Sequence, residues 1–399
     1  MLTLFVDMVL SFDGQEYWAG DAFIRFVQAL AERVGKVTLI ARVHPKRSRS
    51  VYRLDPQRFA VIGLPYYPSL YSPNPSPLLR AVYFLWARRD QLTTPLLLSG
   101  PHPLGVLLGW WARKARRPYA LLVRQNLTEM VRARYTGIHR TIAVTIAALL
   151  ERSWIALGRH APVLTVGPEM ADYYRSRGVP AAEIYISLFQ STELNPHGPQ
   201  PRQLGEPLRI ITVSRLEPEK GLRDLVHAVR IAVTSGVKVY WEIVGEGSCG
   251  PALRELVQVA GLGNCVSFVG YVPNGPQLLE KIRHAHVLVV SSLTEGFPQA
   301  VLEAFSQGTP VLATAVGGMA RKLRNEIDSL LVPPQSPEAL AEALMRLYYD
   351  DGLRVRLGQN GRRVAETLTL ERQVERVLSL LASEWNIRFD DVEERLPCG

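Results

Sequence analysis

The amino-acid sequence predicts an α/β protein of two domains, each a doubly wound parallel sheet covered by helices on both faces. At 399 residues the chain is longer than a single hydrophobic core usually supports. Strand-like apolar runs alternate with helical segments in both halves, and this alternation favours parallel sheets. A segment rich in proline and glycine, NPHGPQPRQLGEP at residues 195–207, separates the two halves.

The strands are predicted from short apolar runs that are bounded by turn residues. In the first half they lie at residues 2–9, 36–43, 60–64, 95–99, 119–124 and 162–166, with helices at 21–34 and 105–115. In the second half they lie at residues 208–214, 239–244, 266–269, 286–291 and 310–314. Helical segments dominate from residue 337, and the last of them, at 370–382, has one apolar face. We therefore assign an N-terminal domain (1–195), a linker (196–207), a C-terminal domain (208–370) and a C-terminal helix (371–399).

Composition and cysteine content indicate an ordinary globular protein of a reducing compartment. Hydrophobic residues make up 47% of the chain and charged residues 21%. The three cysteines, Cys249, Cys265 and Cys398, lack metal-ligand spacing and are odd in number, so we expect neither a zinc site nor a disulfide framework. Residues 1–10 lack a basic leader and predict a strand rather than a signal peptide. The longest uncharged apolar run, residues 141–150, is too short to span a bilayer.

Positive charge is concentrated in the first half of the sequence. Residues 1–190 contain 24 Lys and Arg against 12 Asp and Glu, a net charge of +12, whereas residues 191–399 contain 22 against 25, a net charge of −3. This asymmetry indicates an anionic partner, either a membrane surface, a phosphate-bearing acceptor or nucleic acid, unless the basic surface only aids solubility. No aromatic and basic recognition motif is present, so nucleic-acid binding is not expected. Two basic clusters favour an anionic membrane surface: Arg113, Lys114, Arg116 and Arg117 beside Trp110 and Trp111, and Arg42, Lys46, Arg47, Arg49 and Arg53.

A glycine motif follows the predicted strand at 239–244. Gly245, Gly247 and Gly250 form G-x-G-x-x-G before a helix that Pro251 opens, a pattern resembling the dinucleotide-binding fingerprint. A nicotinamide site requires an acidic residue about 20 positions further on to hold the ribose, and residues 265–270 contain none. The glycines therefore indicate a tight strand-to-helix turn beside a binding site rather than an oxidoreductase.

Two cations follow the first strand of the C-terminal domain. Arg215 and Lys220 are five residues apart across a turn that contains Pro218, so both side chains can point into the space above the strand ends. Charge-assisted hydrogen bonds would suit a diphosphate there and would stabilise the negative charge of a departing nucleoside diphosphate. The alternative is a pairing of Arg215 with Glu217 or Glu219 and a solvated Lys220.

Two carboxylates follow the strand at 286–291. Glu295 precedes Gly296, Phe297 and Pro298, and the proline suits the first turn of a helix that contains Glu303. Both carboxylates can then face one site, with Glu295 binding hydroxyls of a transferred hexose, Glu303 binding the ribose diol, and the backbone N–H groups between them facing an anion. The alternative is that Glu295 only complements the helix dipole and Glu303 is an exposed helix residue.

In combination and order, these segments resemble the donor domain of family-4 glycosyltransferases. Those enzymes have the GT-B fold, in which two Rossmann-like domains face each other across a cleft. The resemblance is strong over about 160 residues and rests on residues 213–221, 245–247, 266–273 and 295–311. It implies metal-independent transfer with retention of anomeric configuration, with Arg215 and Lys220 on the diphosphate, Glu303 on the ribose and Glu295 beside the reacting sugar. It also implies that Gly245 borders the donor, that the base binds near Tyr271 and Val272, and that the final helix returns to the first domain.

The N-terminal domain departs from the family pattern where an acceptor would bind. Family members often have a histidine after the strand that matches residues 119–123, whereas this chain has Arg124, Gln125 and Asn126. His102, at another strand end, is either functional or a structural turn residue. The loop at residues 11–20, SFDGQEYWAG, ends at Gly20, which either admits the diphosphate or acceptor close to the backbone or forms a plain turn before the helix. The acceptor-side candidates are therefore Asp13, His102, Arg124 and Asn126.

Together these features predict transfer of a hexose-type sugar from a nucleoside-diphosphate sugar to a hydroxyl of a glycan or lipid-linked acceptor, in cell-envelope polysaccharide or glycolipid synthesis. Because no Asp-x-Asp metal motif lies in a predicted site, we expect no metal or other cofactor, and the departing phosphate is expected to take the acceptor proton. We expect a cytoplasmic enzyme with peripheral attachment to the inner face of the plasma membrane. The alternatives are an epimerase or phosphorylase on the same scaffold, for which no acid-base residues can be placed, and a catalytically silent nucleotide-sugar-binding subunit.

Overall fold

The chain divides into two compact units in the computed structural model. The model describes residues 1–44, 51–68, 70, 74–134, 137–199, 201, 203 and 205–389. Unit 1 comprises Met1–Val166, Met170–Ile186 and the described residues from Glu371 onward, and unit 2 comprises Gly167–Glu169 and Ser187–Leu370. The described part of the predicted linker lies within unit 2, where the Asn195 amide Nδ2 donates to the Gln307 carbonyl at 2.8 Å. Each unit is an α/β fold, as predicted.

Unit 1 is built around one sheet, because its apolar strands are followed by helices that cover them. Its strands are β1 (Leu2–Phe12), β2 (Tyr17–Ala19), β3 (Val37–His44), β4 (Tyr52–Arg53), β5 (Phe59–Leu64), β6 (Leu96–Gly100), β7 (Tyr119–Val123), β8 (Val163–Val166) and β9 (Ala181–Ile184). The helices are α1 (Phe23–Val34), α2 (Ser76–Arg88), α3 (Pro103–Lys114), α4 (Leu127–Arg134), α5 (Gly137–Gly158) and α6 (Pro168–Arg175).

The parallel strands of unit 1 run in the order β5-β3-β1-β6-β7-β8-β9. The chain therefore winds in one direction from β1 to β3 and in the other from β6 onward, which makes the boundary between β1 and β6 a topological switch point. Residues 11–20, predicted as a loop, instead form a hairpin, because β2 pairs antiparallel with the end of β1 and then with β4. The sheet is parallel as predicted except for this antiparallel hairpin at the end of β1.

Unit 2 repeats the architecture with a six-stranded parallel sheet in the order β12-β11-β10-β13-β14-β15. Its strands are β10 (Leu208–Val213), β11 (Val239–Val244), β12 (Val266–Gly270), β13 (Val287–Val290), β14 (Val311–Thr314) and β15 (Leu330–Val332). Its helices are α7 (Leu222–Thr234), α8 (Gly250–Val259), α9 (Pro276–His284), α10 (Gln299–Gln307), α11 (Gly317–Lys322), α12 (Pro337–Tyr349) and α13 (Asp351–Glu366). All the strands predicted here are confirmed, and β15 adds an edge strand that was not predicted.

The last helix, α14 (Leu370–Trp385), packs on unit 1 almost along its whole length. Its predicted apolar face is buried, and Val374, Val377, Leu378 and Leu381 are at most 1% exposed. The Trp385 indole Nε1 donates to the Tyr119 carbonyl at 3.3 Å, which fixes the end of the helix on β7. The C-terminal segment therefore completes the core of unit 1.

Helix α5 contains the apolar run at residues 141–150 and is longer than that run suggests. By length and composition, Arg140–Gly158 is the one helix among the described residues that could cross a bilayer. Its inner side, however, lies in the core of unit 1, where Trp154 packs on Gly105 and Leu157 packs on Gly109. This packing is that of a helix covering a sheet.

The two predicted basic clusters differ in their environment. In the second cluster Arg42 is buried, and its Nε lies 3.0 Å from the Asp7 Oδ1, so it is not available to a membrane. Arg53 pairs with Glu16, while Lys46, Arg47 and Arg49 lie outside the described residues. In the first cluster Arg113, Lys114 and Arg116 are exposed at the end of α3. Cationic groups there also complement the helix dipole.

Candidate functional site

The candidate donor site lies at the carboxyl edge of the unit 2 sheet. β10 is hydrogen-bonded to both β11 and β13, so the connections leave β10 and β13 in opposite directions and open a crevice between them. The loops that follow these two strands contain the predicted phosphate-binding and sugar-binding residues. The strand order thus brings together residues that are far apart in the sequence.

Lys220 and Glu295 meet at this crevice. The Lys220 Nζ contacts the Glu295 Oε2, and the Ser292 hydroxyl donates to the same carboxylate oxygen at 3.2 Å. Both charged side chains are largely shielded, with exposed fractions of 13% and 17%. The alternative of a solvated Lys220 is therefore wrong, and the sheet edge holds a cation and a carboxylate side by side.

Backbone contacts fix the two loops against each other. The Ser291 hydroxyl donates to the Lys220 carbonyl at 2.9 Å, and the Leu293 N–H donates to the Glu219 carbonyl at 2.8 Å. Gly221 adopts a left-handed conformation, and a Cβ atom there would lie 2.1 Å from the Ser291 carbonyl oxygen. The turn that contains Lys220 is thus preformed, so its backbone needs little reorganisation when the side chain binds a ligand.

Arg215 occupies a more open position at the same edge. Its side chain is 59% exposed and its NH2 group lies 3.3 Å from the Glu219 Oε1, one of the pairings considered from the sequence. Glu217 instead accepts hydrogen bonds from the Ser248 N–H at 3.1 Å and hydroxyl at 2.6 Å. Because an exposed ion pair contributes only about 0–1 kcal/mol, a phosphate can displace Glu219 from Arg215 at small cost.

Glu303 is buried in α10, so the alternative of an exposed helix residue is wrong. Only 4% of the residue is exposed, and its Oε1 accepts a hydrogen bond from the Asn274 amide Nδ2. Asn274 was not predicted; it lies between β12 and α9, at the same carboxyl edge of the sheet. Pro298 caps α10 and the helix begins at Gln299, one residue later than predicted. A buried carboxylate with an amide neighbour suits a diol, which offers two donors and two acceptors.

The G-x-G-x-x-G glycines allow two loops to touch. A Cβ at Gly245, whose φ is +133°, would lie 1.8 Å from the Ser214 carbonyl oxygen, and one at Gly247 would lie 2.4 Å from the Leu216 carbonyl oxygen. Gly250 begins α8, with Pro251 in its first turn. The motif is therefore a tight turn that supports the loop of Arg215 and Lys220. This agrees with the prediction from the sequence, in which the acidic residue of a dinucleotide-binding site is absent.

The remaining predicted donor residues also lie at this edge. Tyr271 is exposed directly after β12, with Val272 half-buried beside it. Phe297 is buried, and Gly296 passes close to α11, where a Cβ at Gly318 would lie 2.1 Å from the Gly296 carbonyl oxygen. In the described ranges, no group of three or more His, Cys, Asp or Glu side chains is arranged to hold a metal ion.

Three acceptor-side candidates in unit 1 have local structural partners. The Asp13 carboxylate accepts from the Gln15 and Glu16 N–H groups and from the Trp18 indole, which closes the β1–β2 hairpin. Asn126 Oδ1 accepts from the Glu129 N–H at 3.1 Å, as a helix-capping residue does. The Arg124 guanidinium lies over the Phe23 ring at 4.4 Å.

Gly20 follows β2 and precedes the turn into α1. In that turn the Asp21 Oδ1 accepts from the Phe23 N–H at 2.9 Å, an arrangement typical of a helix start. This hydrogen bond favours a plain turn, one of the two roles considered for Gly20. The other role, close approach of the Gly20 backbone to a donor or acceptor, stays a prediction.

His102 lies in a buried polar cluster at the switch point of unit 1. Its Nδ1 accepts from the Leu104 N–H at 3.1 Å and caps α3, and its Nε2 lies 3.0 Å from the Tyr67 hydroxyl. Tyr67 donates to the Asp7 Oδ1 at 3.2 Å, and Arg42 pairs with the same oxygen. Burial lowers the pKa of His102 from 6.5 to about 4, although the Asp7 carboxylate opposes that shift. His102 is therefore neutral at pH 7. The other members of the cluster lie on β1, on β3 and after β5, and no local sequence pattern predicts that they meet His102.

This depressed pKa predicts a loss of stability in acid. The unfolded state binds a proton on His102 below pH 6.5 while the folded state binds it only near pH 4. The free energy of unfolding should therefore fall by about 3 kcal/mol between these pH values on account of this group. Urea unfolding of the wild type and of His102→Asn, which retains a capping acceptor, measures the effect. The stability advantage of the wild type at pH 7 should shrink as pH falls, and a constant difference would contradict the assignment.

Comparison with known proteins gives the same picture for unit 2. Residues 199–364 match the family model described as Glycosyl transferases group 1. A 150-residue segment is 31% identical to the amylovoran biosynthesis glycosyltransferase AmsK of Erwinia amylovora, covering 36% of this chain and 37% of that protein. The chain spans less than half the length of the curated relatives it matches. The match to the family model includes Arg215, Lys220, Glu295 and Glu303.

Solved structures match the whole chain in fold. The sucrose-phosphate synthase of Thermosynechococcus elongatus aligns with a TM-score of 0.74 at 23% identity, covering 96% of this chain and 99% of that one. Anabaena HepE in complex with UDP-glucose aligns with a TM-score of 0.67 at 16% identity, covering 95% and 99%. At such identities the likeness shows the fold alone. The protein has a two-domain α/β fold with parallel sheets that resembles GT-B glycosyltransferases, as predicted.

Proposed function

Starting from a Glycosyl transferases group 1 domain in unit 2, we propose that the protein is a retaining glycosyltransferase. It moves a hexose-type sugar from a nucleoside-diphosphate sugar to a hydroxyl of a glycan or lipid-linked acceptor, in the synthesis of envelope polysaccharide or glycolipid. The observation that supports this most is the contact of Lys220 with Glu295 at the sheet switch point, with Glu303 buried nearby. The name of AmsK supports a role in biosynthesis by sugar transfer, and the HepE complex with UDP-glucose supports a nucleoside-diphosphate sugar as donor. The reaction is proposed to take place in the cytoplasm.

The donor diphosphate is proposed to separate the ion pair between Lys220 and Glu295. The Lys220 ammonium then moves to the phosphate oxygens, and Arg215 exchanges Glu219 for the same anion. Glu295, released from the cation, accepts hydrogen bonds from hydroxyls of the hexose. Each charge-assisted hydrogen bond contributes about 1.5–3 kcal/mol, so several of them to the diphosphate offset the loss of this one ion pair.

In the transfer step, the acceptor oxygen attacks the anomeric carbon on the same side from which the phosphate leaves, so that the new bond forms with retention while the bond from that carbon to the phosphate oxygen breaks. The proton of the acceptor hydroxyl passes to the departing phosphate, so neither a metal nor a protein base is required. Lys220 and Arg215 stabilise the negative charge that develops on the leaving diphosphate. Glu303 holds the ribose diol, and the base lies near Tyr271 and Val272.

Thermal-shift measurements with nucleoside diphosphates and their sugars test the donor class. A ligand at 100 times its dissociation constant raises the free energy of unfolding by ~2.7 kcal/mol, which gives a clear melting response. NMR of the product then gives its anomeric configuration, which should be that of the donor. An inverted product would contradict retention. Conversion of the nucleotide-sugar without an acceptor, or phosphorolysis, would favour the epimerase or phosphorylase alternative, and binding without any conversion would favour the silent subunit.

Glu303→Gln should weaken binding of a nucleoside diphosphate about 10–100-fold, because the ribose loses a charged acceptor. Inorganic pyrophosphate, which has no ribose, should bind the variant as it binds the wild type. Isothermal titration calorimetry measures both ligands. Glu255→Gln, an exposed position on α8, is the matched control and should change neither affinity. An equal loss for both ligands would assign Glu303 to the stability of the site instead of to the ribose.

A further inference from the structure

The outer side of helix α5 presents an apolar stripe to solvent. Ile142, Ile146 and Leu149 are 55%, 41% and 56% exposed, and their spacing places them on one side of the helix. The opposite side of the same segment is buried, where Ala143 and Ala147 pack against α4. Three large aliphatic side chains in line, on a protein surface, indicate a surface that contacts another apolar phase.

Two hydroxyl groups of this helix are satisfied within it. The Thr145 hydroxyl donates to the Thr141 carbonyl at 2.9 Å, and the Ser153 hydroxyl donates to the Leu149 carbonyl at 3.0 Å. The acidic residue of the helix, Glu151, is turned inward and accepts a hydrogen bond from the Thr128 hydroxyl at 2.7 Å. The Thr145 and Ser153 hydroxyls and the Glu151 carboxylate therefore do not oppose transfer of the outer side of α5 into an apolar medium.

Arginines border the stripe at both ends. Arg140 precedes it and Arg152 follows it, both exposed, and Arg132 is exposed on the neighbouring helix α4. The surrounding half of the sequence has a net charge of +12. Aliphatic side chains between exposed cations are the combination that lies in the headgroup region of an anionic bilayer, where the long arginine side chains reach the phosphates.

The stripe also projects from the sheet. Trp154 and Leu157 of α5 lie level with Gly105 and Gly109 near the start of α3, so the residues before them extend beyond the carboxyl edge of the unit 1 sheet. The exposed basic residues at the end of α3 lie at the opposite edge. When the protein is oriented with α5 on a bilayer, the basic residues at the end of α3 therefore do not contact that bilayer.

We propose that this side of α5, comprising Arg140, Ile142, Ile146, Leu149 and Arg152, binds the surface of an anionic lipid bilayer, with the helix lying along the interface. It does not span the bilayer, because its inner side remains packed in the core. The inference concerns how the protein is held at a membrane and does not depend on the proposed transfer reaction.

Sedimentation of the full chain with phospholipid vesicles tests the proposal. The wild type should bind vesicles that contain phosphatidylglycerol, more weakly as salt rises, and should bind pure phosphatidylcholine poorly. The triple substitution Ile142→Ser, Ile146→Ser and Leu149→Ser should weaken binding at least tenfold. Val259→Ser, at an exposed apolar position of α8, is the control and should bind as the wild type does.

A matched pair of charge variants locates the surface. Arg140→Gln with Arg152→Gln should weaken binding and reduce its salt dependence, whereas Arg113→Gln with Lys114→Gln, the same change of charge at the end of α3, should not. Circular dichroism and nucleoside-diphosphate binding of each variant show whether it is folded. The proposal is overturned if the wild type does not bind anionic vesicles at physiological salt, or if the triple variant binds them equally well. It is also overturned if the wild type binds no vesicles but forms a dimer, and the triple substitution dissociates that dimer.

Discussion

Replacing Lys220 with alanine is expected to lower kcat/KM for sugar transfer by ~10²–10³-fold, comparable to the removal of one preorganised oxyanion donor. The substitution removes the cation nearest the proposed diphosphate. It also leaves the Glu295 carboxylate, only 17% exposed, without its ion-pair partner and facing the phosphate oxygens. Loss of attraction and gain of repulsion act in the same direction, so both the affinity for the donor and the rate of its departure should fall.

Steady-state kinetics with a competent donor and acceptor measure this effect. Lys238→Ala, at an exposed position before β11 and thus at the other edge of the same sheet, is the control and should retain wild-type turnover. The double variant Lys220→Ala with Glu295→Gln separates the two causes. It removes the repulsion between the Glu295 carboxylate and the phosphate, but it does not restore the lost cation. Full activity in Lys220→Ala would contradict the proposal that this residue stabilises the departing diphosphate.

Gly245→Ala is expected to destabilise unit 2 by about 3–5 kcal/mol and to abolish nucleotide binding in whatever folded protein remains. The φ of +133° at Gly245 is unfavourable for alanine, and the new Cβ would lie 1.8 Å from the Ser214 carbonyl oxygen. The neighbouring turn would have to move, and with it the backbone that leads to Arg215 and Lys220.

Chemical denaturation together with calorimetry of nucleoside-diphosphate binding measures both effects. Gly236→Ala provides the comparison, because Gly236 also has a positive φ, of +88°, but a Cβ there meets nothing within 4 Å. That variant should lose only about 1 kcal/mol and bind nucleotide normally. If the two alanine variants were equally stable, close contact between the loops would not be the reason for the glycine at 245.

Much of the unit 2 site could be predicted from the sequence because its residues directly follow strands. In a parallel sheet the carboxyl ends of all strands lie at one edge, so Lys220 after β10 and Glu295 after β13 were expected at the same edge. Which side chains touch depends on strand order, and no local pattern contains that order. The hydrogen bond from Asn274 to Glu303 was missed for this reason, since 29 residues separate the two.

The parts of the fold that were not predicted have short or buried elements. β2 and β4 contain three and two residues, too few to show an alternating pattern. The hairpin that places them depends on the Asp13 carboxylate, which the sequence marks only as one polar residue in a turn. In the same way Arg42 belonged to a basic run in the sequence, and only the neighbouring strand β1 shows that it is buried against Asp7.

The contacts between backbone atoms that join the loops of unit 2 have a consequence for how the protein can evolve. Gly221, Gly245, Gly247 and Gly318 fix the path of the chain around the proposed diphosphate, and any larger residue at these positions would collide with a carbonyl group. Tyr271, by contrast, is exposed at the rim. In the proposed binding mode, substitution at the exposed Tyr271 can change which nucleotide base is bound, whereas the tightly packed loops around the diphosphate tolerate little change.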